Sequence, residues 1–199
     1  MSEYNYPQAF EKLRQLVAGI HPLPDDAWQA LAAGWQPFSC GRKTCLTRPG
    51  EPERFLYFVC EGIQRVFHID EHLREATLVF MYPPSFGGVL DSILLQSPAT
   101  YYYETFTPSA FLRLPVPLLH ALMEQHPHIS TLVRKGLAHT FSGVLHRLAE
   151  LQTCSAEERL RALLQRSPHI LQLVPHKYLA NYLGMDATNF SKLLNQVRF

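Results

Sequence analysis

The 199-residue chain lacks any long apolar run, because charged residues or prolines interrupt every hydrophobic stretch well before the ~18 residues that a membrane span needs. It also lacks an opening of basic residues followed by an apolar segment, since residues 1–7 are polar and end in proline. Neither a transmembrane nor a secreted protein is therefore expected. These absences predict a soluble, cytoplasmic protein with no membrane partner.

Cysteine is scarce, and its spacing does not suit a metal or redox centre. None of the four cysteines, Cys40, Cys45, Cys60 and Cys154, belongs to a Cys-x-x-Cys pair. We interpret them as buried structural thiols. The histidines between residues 120 and 146 include no His-x-x-x-His pair and have no carboxylate cluster beside them, so no metal site is predicted.

An enzyme lacks support in the sequence, because no nucleophile is accompanied by a recognisable base and orienting group. The formal net charge is only +1, yet the charge is unevenly distributed. Residues 155–199 hold six of the 18 basic side chains and three of the 17 acidic ones. A modestly basic end of this kind is compatible with contacts to phosphate groups.

The first part of the chain combines two short helices with many short strands. Apolar residues at helical spacing predict helices over residues 7–19 and 24–34. From Trp35 to Pro117 the pattern changes to short apolar or alternating runs that proline and glycine turns separate. Such a pattern predicts a small antiparallel barrel or roll. The predicted strands cover residues 55–59, 63–69, 77–81, 101–106 and 111–114.

A long helix is predicted after Pro117, with one apolar stripe that runs from Ile129 to Leu151 at spacings of three and four. Such a stripe serves either as the core face of one domain or as a coiled-coil seam between two subunits. We favour the seam, because the strands before the helix form a domain of their own. The residues predicted at this dimer interface are Leu137, Val144, Leu148 and Leu151.

Two further helices joined by a tight turn are predicted at the end of the sequence. Pro175 suits the first turn of a helix, and Gly184 permits the left-handed backbone that ends one. Asp186 is a good N-cap for the next helix, and the small Ala180 suits a helix crossing. The stripe predicted to be buried is Phe190, Leu193, Leu194 and Val197, and the polar side carries Thr188, Ser191, Lys192 and Asn195. This pattern predicts a helix-turn-helix, with a helical hairpin packed on its own domain as the alternative.

The order of these parts resembles the Crp/Fnr family of bacterial transcription regulators over nearly the whole chain. Local matches are residues 56–59 before Glu61-Gly62, Phe86-Gly87 after paired prolines, and residues 182–184 in the last domain. The resemblance implies an α+β fold. Its parts are an N-terminal domain, a long dimerisation helix and a small all-α helix-turn-helix domain. The N-terminal domain is a double-stranded β-helix with flanking helices, that is, a β-roll of the cyclic-nucleotide-binding type. The expected domains are residues 1–117, 118–153 and 154–199.

Some members of this family carry an iron–sulfur cluster, which is the alternative to structural thiols for the cysteines. Others bind cyclic AMP through a cassette that opens Phe-Gly-Glu and later supplies an arginine. Here Gly88 follows Phe86-Gly87 in place of the glutamate that binds the ribose. No lysine or arginine lies between Arg74 and Arg113, and a buried phosphate without a cationic partner is costly. Cyclic AMP is therefore not expected to bind, the effector is unknown, and no cofactor is predicted.

Aromatic residues take the place of the missing polar groups. Tyr101 and Tyr103 share one face of a predicted strand, because alternate side chains of a strand point the same way. Together with Phe86, Gly87 and Gly88 they form the predicted effector pocket. We interpret this region as filled core, with a ligand cavity as the alternative.

The resemblance places the base-reading positions at Ala187, Thr188 and Lys192. Many members have arginine and glutamate there, so the usual operator sequence is not expected. Lys192 can donate to guanine, Thr188 can reach a base edge, and Ala187 can touch a thymine methyl. The other predicted DNA-binding residues are Lys177, Asn189, Ser191 and Asn195. Of these, the lysine and the two asparagines are better placed for phosphates, which hold the register without reading sequence.

The given sequence ends at Phe199, before the β-hairpin wing that usually follows in this family, so weaker binding is expected. Taken together, the sequence predicts a homodimeric transcription regulator that binds double-stranded DNA, with RNA polymerase as a further candidate partner. The alternative is a ligand-binding or protein-interaction module without sequence-specific DNA binding. An enzyme hidden in the roll is the third interpretation.

Overall fold

The computed structural model describes residues 4–196. The chain divides into two compact units, of which the first comprises Met1–Val66 with Phe80–His139 and the second comprises Phe67–Val79 with Thr140–Phe199. The helices are α1 Tyr6–Ile20, α2 Asp25–Ala33, α3 Leu90–Leu95, α4 Val116–Gln125, α5 Pro127–Thr153, α6 Ala156–Arg166, α7 Ile170–Leu173, α8 His176–Tyr182 and α9 Ala187–Gln196. The strands are β1 Gln36–Cys40, β2 Cys45–Thr47, β3 Phe55–Glu61, β4 Gln64–Ile69, β5 Glu75–Met81, β6 Ser85–Gly87, β7 Tyr102–Thr105 and β8 Ser109–Pro115. Within residues 4–196, no helix has the length and hydropathy needed to cross a membrane.

Helices α1 and α2 confirm the two helices predicted at the start of the chain. The side chain of Asn5 accepts a hydrogen bond from the backbone N–H of Gln8, and this bond caps α1. Leu13 and Val17 lie four residues apart and are both buried on one face of α1. Leu31 of α2 is buried in the same core, so the spacing that predicted the helices also marks the faces that pack.

The strands form two four-stranded sheets, in the orders β1-β8-β3-β6 and β2-β7-β4-β5. All five predicted strands are present, in β3, β4, β5, β7 and β8. Strands β1, β2 and β6 were not predicted. β2 and β6 are only three residues long, and β1 is an edge strand whose residues are partly or largely exposed. Strands of this kind carry no regular alternation of apolar side chains, so periodicity does not reveal them.

Two cores lie on opposite faces of the sheet that contains β3 and β8. Tyr57 and Phe111 face the second sheet, where Tyr103 of β7 completes an aromatic cluster. Phe58 and Leu112, one residue further along each strand, face the helices instead. This alternation follows from the two-residue repeat of a strand. The architecture is α+β, as predicted, with a roll interior that is distinct from the helix-packed core.

Helix α5 confirms the predicted long helix and shows a division along it. Ile129 and Leu132 are buried in the helix-packed core of the first unit. Leu137 and the apolar side chains that follow it are exposed. The stripe therefore serves as core at its beginning and remains uncovered from Leu137 onward.

The second unit ends in the short helices α6 to α9. Ser155 and Glu158 form a capping box at the start of α6, with each side chain hydrogen-bonded to the backbone N–H of the other residue. Helix α6 ends at Arg166, two residues before Pro168. The short helix α7 was not predicted, because four residues are too few for a periodic pattern. Val197, assigned above to the buried stripe of the last helix, lies outside the described residues.

Candidate nucleic-acid interface and effector pocket

Helices α8 and α9 form the predicted helix-turn-helix, and Gly184 makes the turn between them. Gly184 has a φ of +64°, in the left-handed region that glycine adopts without strain. Its N–H donates to the carbonyl of Asn181 at 3.0 Å, and the N–H of Met185 donates to the carbonyl of Ala180 at 3.1 Å. These two bonds form a Schellman motif, which ends α8 sharply.

The start of α9 is fixed by the predicted N-cap. A carboxylate oxygen of Asp186 accepts a hydrogen bond of 2.8 Å from the N–H of Asn189. One turn further, Phe190 is completely buried, with its ring centroid 5.4 Å from that of His176 on α8. Ala180 of α8 is buried as well. The small residue of the first helix and the apolar residue of the second are therefore both in the interior, as a helix-turn-helix requires.

The polar face of α9 is exposed along its length. Thr188, Ser191, Lys192 and Asn195 recur at the spacing of one helix face, and all four are exposed. Ala187 is exposed at the first helical position. The face offers one cation, two hydroxyl groups and one amide, which is the chemistry that base edges and phosphates accept.

Local contacts distinguish the remaining predicted DNA-binding residues. The hydroxyl of Ser191 donates to the carbonyl of Ala187 at 2.9 Å, so it is engaged within the helix. Asn189 is half-buried beside the N-cap. Lys177 is exposed at the start of α8, and its Nζ lies 4.5 Å from the ring centroid of Tyr178. That cation is thus held over an aromatic ring while remaining open to solvent.

A contact that sequence reasoning missed holds α8 within the second unit. The side-chain oxygen of Asn181 accepts from the N–H of Thr77, and its amide nitrogen donates to the carbonyl of Glu75, each at 2.6 Å. Both partners are backbone groups of β5, an edge strand. The side-chain amide of Asn181 therefore hydrogen-bonds to the edge of β5 as the backbone of a neighbouring strand would. The residues are more than a hundred positions apart, so no local signal points to this contact.

A group of charged residues joins α5, α6 and α8. Both carboxylate oxygens of Glu150 accept from Arg166, and the second of these bonds measures 3.0 Å. These bonds hold the pKa of Glu150 below its usual range. The guanidinium of Arg147 lies 3.7 Å from the ring centroid of Tyr182. Helix α8 is thus in contact with α5 through Tyr182.

The predicted dimer residues lie on an uncovered stripe of α5. Phe141, which was not predicted as an interface residue, completes an alternating spacing of four and three residues. That spacing is the heptad repeat of a coiled coil. We call this stripe the α5 seam, and its residues are Leu137, Phe141, Val144, Leu148 and Leu151. The exposed fractions of these five residues lie between 37% and 59%.

The predicted effector pocket is filled by Tyr103. This side chain is completely buried, and its hydroxyl has no hydrogen-bond partner among the described residues. A side chain at Gly87 would collide with that hydroxyl, so glycine is what allows the tyrosine to reach across the roll. Tyr101 packs against the same cluster, as predicted. The interior that a ligand would need is therefore occupied by an aromatic ring.

Phe86 was wrongly grouped with these tyrosines. Its ring packs with Trp35 and Phe58, each with a centroid separation of 6.1 Å, in the helix-packed core. Because Phe86 and Gly87 are consecutive residues of β6, they point to opposite faces of the sheet. Gly88 follows with a φ of +122°, and a Cβ atom there would lie 3.6 Å from a carboxylate oxygen of Glu53.

One cation of the roll is engaged by aromatic rings. The guanidinium of Arg113 on β8 lies 4.3 Å from the ring centroids of both Phe38 and Phe55. Its Nε atom is buried with no hydrogen-bond partner in the described part of the chain. This arginine bounds the stretch that lacks cationic residues, and its position between two rings could not be read from the sequence.

The cysteine thiols of the first unit are poor candidates for metal ligation. Burial raises the pKa of Cys60 to about 11, and it also raises the pKa values of Cys40 and Cys45. A raised pKa disfavours the thiolate that binds metals. Over residues 4–196, no three histidine, cysteine or acidic side chains come together as a metal site.

Comparisons with known proteins agree with this architecture. The family model of the cyclic nucleotide-binding domain matches residues 38–126. The Global nitrogen regulator of Synechocystis sp. is 29% identical over 91 residues, which cover 45% of this chain and 40% of the relative. The chain thus spans well under half the length of the curated relatives it matches.

Solved structures extend the likeness to most of the chain. FixK2 from Bradyrhizobium japonicum superposes with a TM-score of 0.74 at 17% identity, over 81% of this chain and 83% of that one. A protein from Eubacterium rectale, described as a transcriptional regulator of the crp/fnr family, gives a TM-score of 0.70 at 16% identity, over 87% and 83% of the two chains. At identities this low, the superpositions establish a shared fold and nothing about function.

Proposed function

This chain has the fold of the Crp/Fnr transcription regulators, and from that premise we propose that it is a homodimeric DNA-binding regulator whose roll does not bind cyclic AMP. In this function α9 enters the major groove and α5 joins two copies. The role is regulatory rather than catalytic. It requires that the protein resides with the DNA, in the cytoplasm, and RNA polymerase is a candidate partner of the DNA-bound dimer.

The exposed polar face of α9 is the observation that carries this proposal. A second helix held by a sharp glycine turn and an Asp N-cap is the geometry with which helix-turn-helix proteins present side chains to base edges. Lys192, with Thr188 one turn before it, occupies the middle of that face. Lys177 at the start of α8 is suited to a phosphate instead.

The α5 seam supports dimerisation. From Leu137 to Leu151 it extends about 21 Å along the helix at 1.5 Å per residue. A second copy supplies the same stripe. In a dimer with a two-fold axis between the helices, each apolar side chain of the stripe is therefore buried in both copies. A dimer also presents two recognition helices, which fits an operator of two half-sites.

We expect the two lysines to contribute to DNA binding in different ways. Lys192→Ala should cost about 1–3 kcal/mol on a selected site and relax the preference at one base position. Lys177→Ala should weaken binding to all duplexes alike and reduce the salt slope by about one unit per half-site. The site is first selected from a random DNA pool with the purified protein. Fluorescence anisotropy against the selected and scrambled duplexes over a range of salt then measures both effects.

Lys12→Ala is the matched control, because Lys12 is exposed on α1 in the first unit and should leave both measurements unchanged. If the unaltered protein binds selected and scrambled duplexes with equal, weak affinity, sequence-specific regulation is wrong. A ligand-binding or protein-interaction module then becomes the better assignment.

Cyclic AMP should not bind at physiological concentrations. The third residue of the cassette is Gly88 instead of a glutamate, and the ring of Tyr103 fills the interior. Arg113, the nearest arginine that follows the cassette in sequence, is held between two aromatic rings. Calorimetric titration should therefore give no binding heat, and added nucleotide should leave DNA affinity unchanged. A dissociation constant in the micromolar range would contradict this prediction.

A further inference from the structure

Glu53 is a buried acidic residue that the function described so far does not use. It lies between β2 and β3 and is only 3% exposed. Its backbone N–H donates to the hydroxyl of Ser92 in α3 at 2.9 Å. The residue is therefore fixed against the segment that follows β6, at the edge of the roll interior.

Four donors converge on its carboxylate, and none of the four is cationic. One oxygen accepts from the hydroxyl of Thr47 at 2.6 Å and from the N–H of Val89 at 3.1 Å. The other accepts from the N–H groups of Arg54 and Phe55, at 3.0 and 3.5 Å. Burial raises the pKa of this carboxyl, and the four hydrogen bonds act in the opposite direction. A set of neutral donors around one carboxylate is how proteins hold a small anion away from water.

The position of the carboxylate matters as much as its partners. Val89, whose N–H donates to the Glu53 carboxylate, comes directly after Gly88. A Cβ atom on Gly88 would lie 3.6 Å from the Glu53 carboxylate and 3.3 Å from the carbonyl of Phe55. The carboxylate of Glu53 thus lies beside the position at which a side chain at residue 88 would begin. Beside it, Tyr103 covers Gly87.

We propose that Glu53 is a built-in ligand of the roll, a carboxylate of the chain itself that binds the Val89 amide and Thr47 hydroxyl in place of an external anionic effector. The segment around Val89 is consequently held in its ordered conformation without any bound molecule. Combined with the proposed function, this makes the protein a regulator that binds DNA without an effector.

Chemical rescue tests the proposal on the full-length protein. Glu53→Ala should lower the melting temperature by about 5–10 °C, because it leaves a cavity and unpaired buried donors. Added acetate should restore most of that loss, since it supplies the missing carboxylate, whereas neutral acetamide should not. Glu53→Gln is the matched control, because its side chain fills the space and acetate should have no effect on it. The unaltered protein should not respond to acetate either.

Hydrogen exchange gives a second measurement that does not depend on whether Glu53→Ala folds. The Val89 amide should be protected in the ligand-free protein and should exchange at least tenfold faster in Glu53→Gln. The proposal is overturned if acetate stabilises the unaltered protein as much as Glu53→Ala, or if Val89 exchanges equally fast in both forms.

DNA binding separates this inference from the proposed function on which its regulatory part rests. At constant ionic strength, the ligand-free protein should bind its selected site as tightly as it does in the presence of small anions. If binding requires an added effector, the built-in ligand is wrong while the regulator stands. If no specific DNA is bound yet acetate rescues Glu53→Ala, the regulator is wrong while the built-in ligand stands.

Discussion

Leu148→Asp is expected to leave the protein monomeric at concentrations at which the unaltered protein is a dimer. Leu148 lies inside the α5 seam, with Val144 before it and Leu151 after it, and is 48% exposed in the single chain. Burying one leucine side chain contributes about 1.5–3 kcal/mol, and a two-fold interface loses this contribution twice. A weakening of the dimer by at least about a hundredfold follows, before the cost of an unpaired buried charge is included. Light scattering over a concentration series measures the effect.

The control is Leu95→Asp, because Leu95 is 75% exposed on α3 and is not a residue of the α5 seam. The same chemical change there should leave a dimer. A monomeric unaltered protein, or a Leu148→Asp dimer of unchanged affinity, would show that the seam is not the interface between copies. Leu148→Asp should also weaken binding to a two-half-site operator far more than binding to a single half-site, because only the dimer engages both.

The helix-turn-helix could be predicted from sequence because its determinants are local. Gly184, Asp186 and Phe190 act within a few residues of one another, through a backbone turn, a side-chain cap and a buried stripe. Each follows from the identity of a residue and its offset from the next. The α5 seam was predicted for the same reason, although Phe141 was overlooked within its heptad spacing.

The effector pocket was predicted only in part, because its determinants are distant in sequence. The pairing of Glu53 with Val89 spans 36 positions, and Arg113 reaches Phe38 and Phe55 on other strands. Periodicity carries no information about such contacts. The position of Phe86 was different, since strand alternation alone separates it from Gly87. Phe86 and Gly87 were grouped because they are adjacent in the cassette, although adjacent residues of a strand face opposite sides of the sheet.

Leu179→Ala is expected to destabilise the helix-turn-helix by about 2–5 kcal/mol. Leu179 is completely buried in α8, where the backbone N–H of Leu183 donates to its carbonyl at the end of the helix. Truncation leaves a cavity beside α8, and helices of 7 and 10 residues have little stability of their own. The loss should therefore fall on α8 and α9, while the core of the first unit keeps its packing. Hydrogen exchange should show faster exchange over residues 176–196 than in the unaltered protein and unchanged protection over β3 and β8.

DNA affinity connects this stability to function, because only the folded helix-turn-helix presents the polar face of α9. Leu173→Ala is the matched control, since Leu173 is a leucine of the same unit that is 42% exposed on α7. Its truncation should cost less than about 1 kcal/mol and should leave DNA affinity nearly unchanged. Specific binding by Leu179→Ala should fall with the folded fraction of α8 and α9 and should recover on cooling toward the temperature of maximum stability. Equal losses of affinity in the two variants would mean that burial of Leu179 does not set the position of α9, and that another contact, such as the pairing of Asn181 with β5, does so instead.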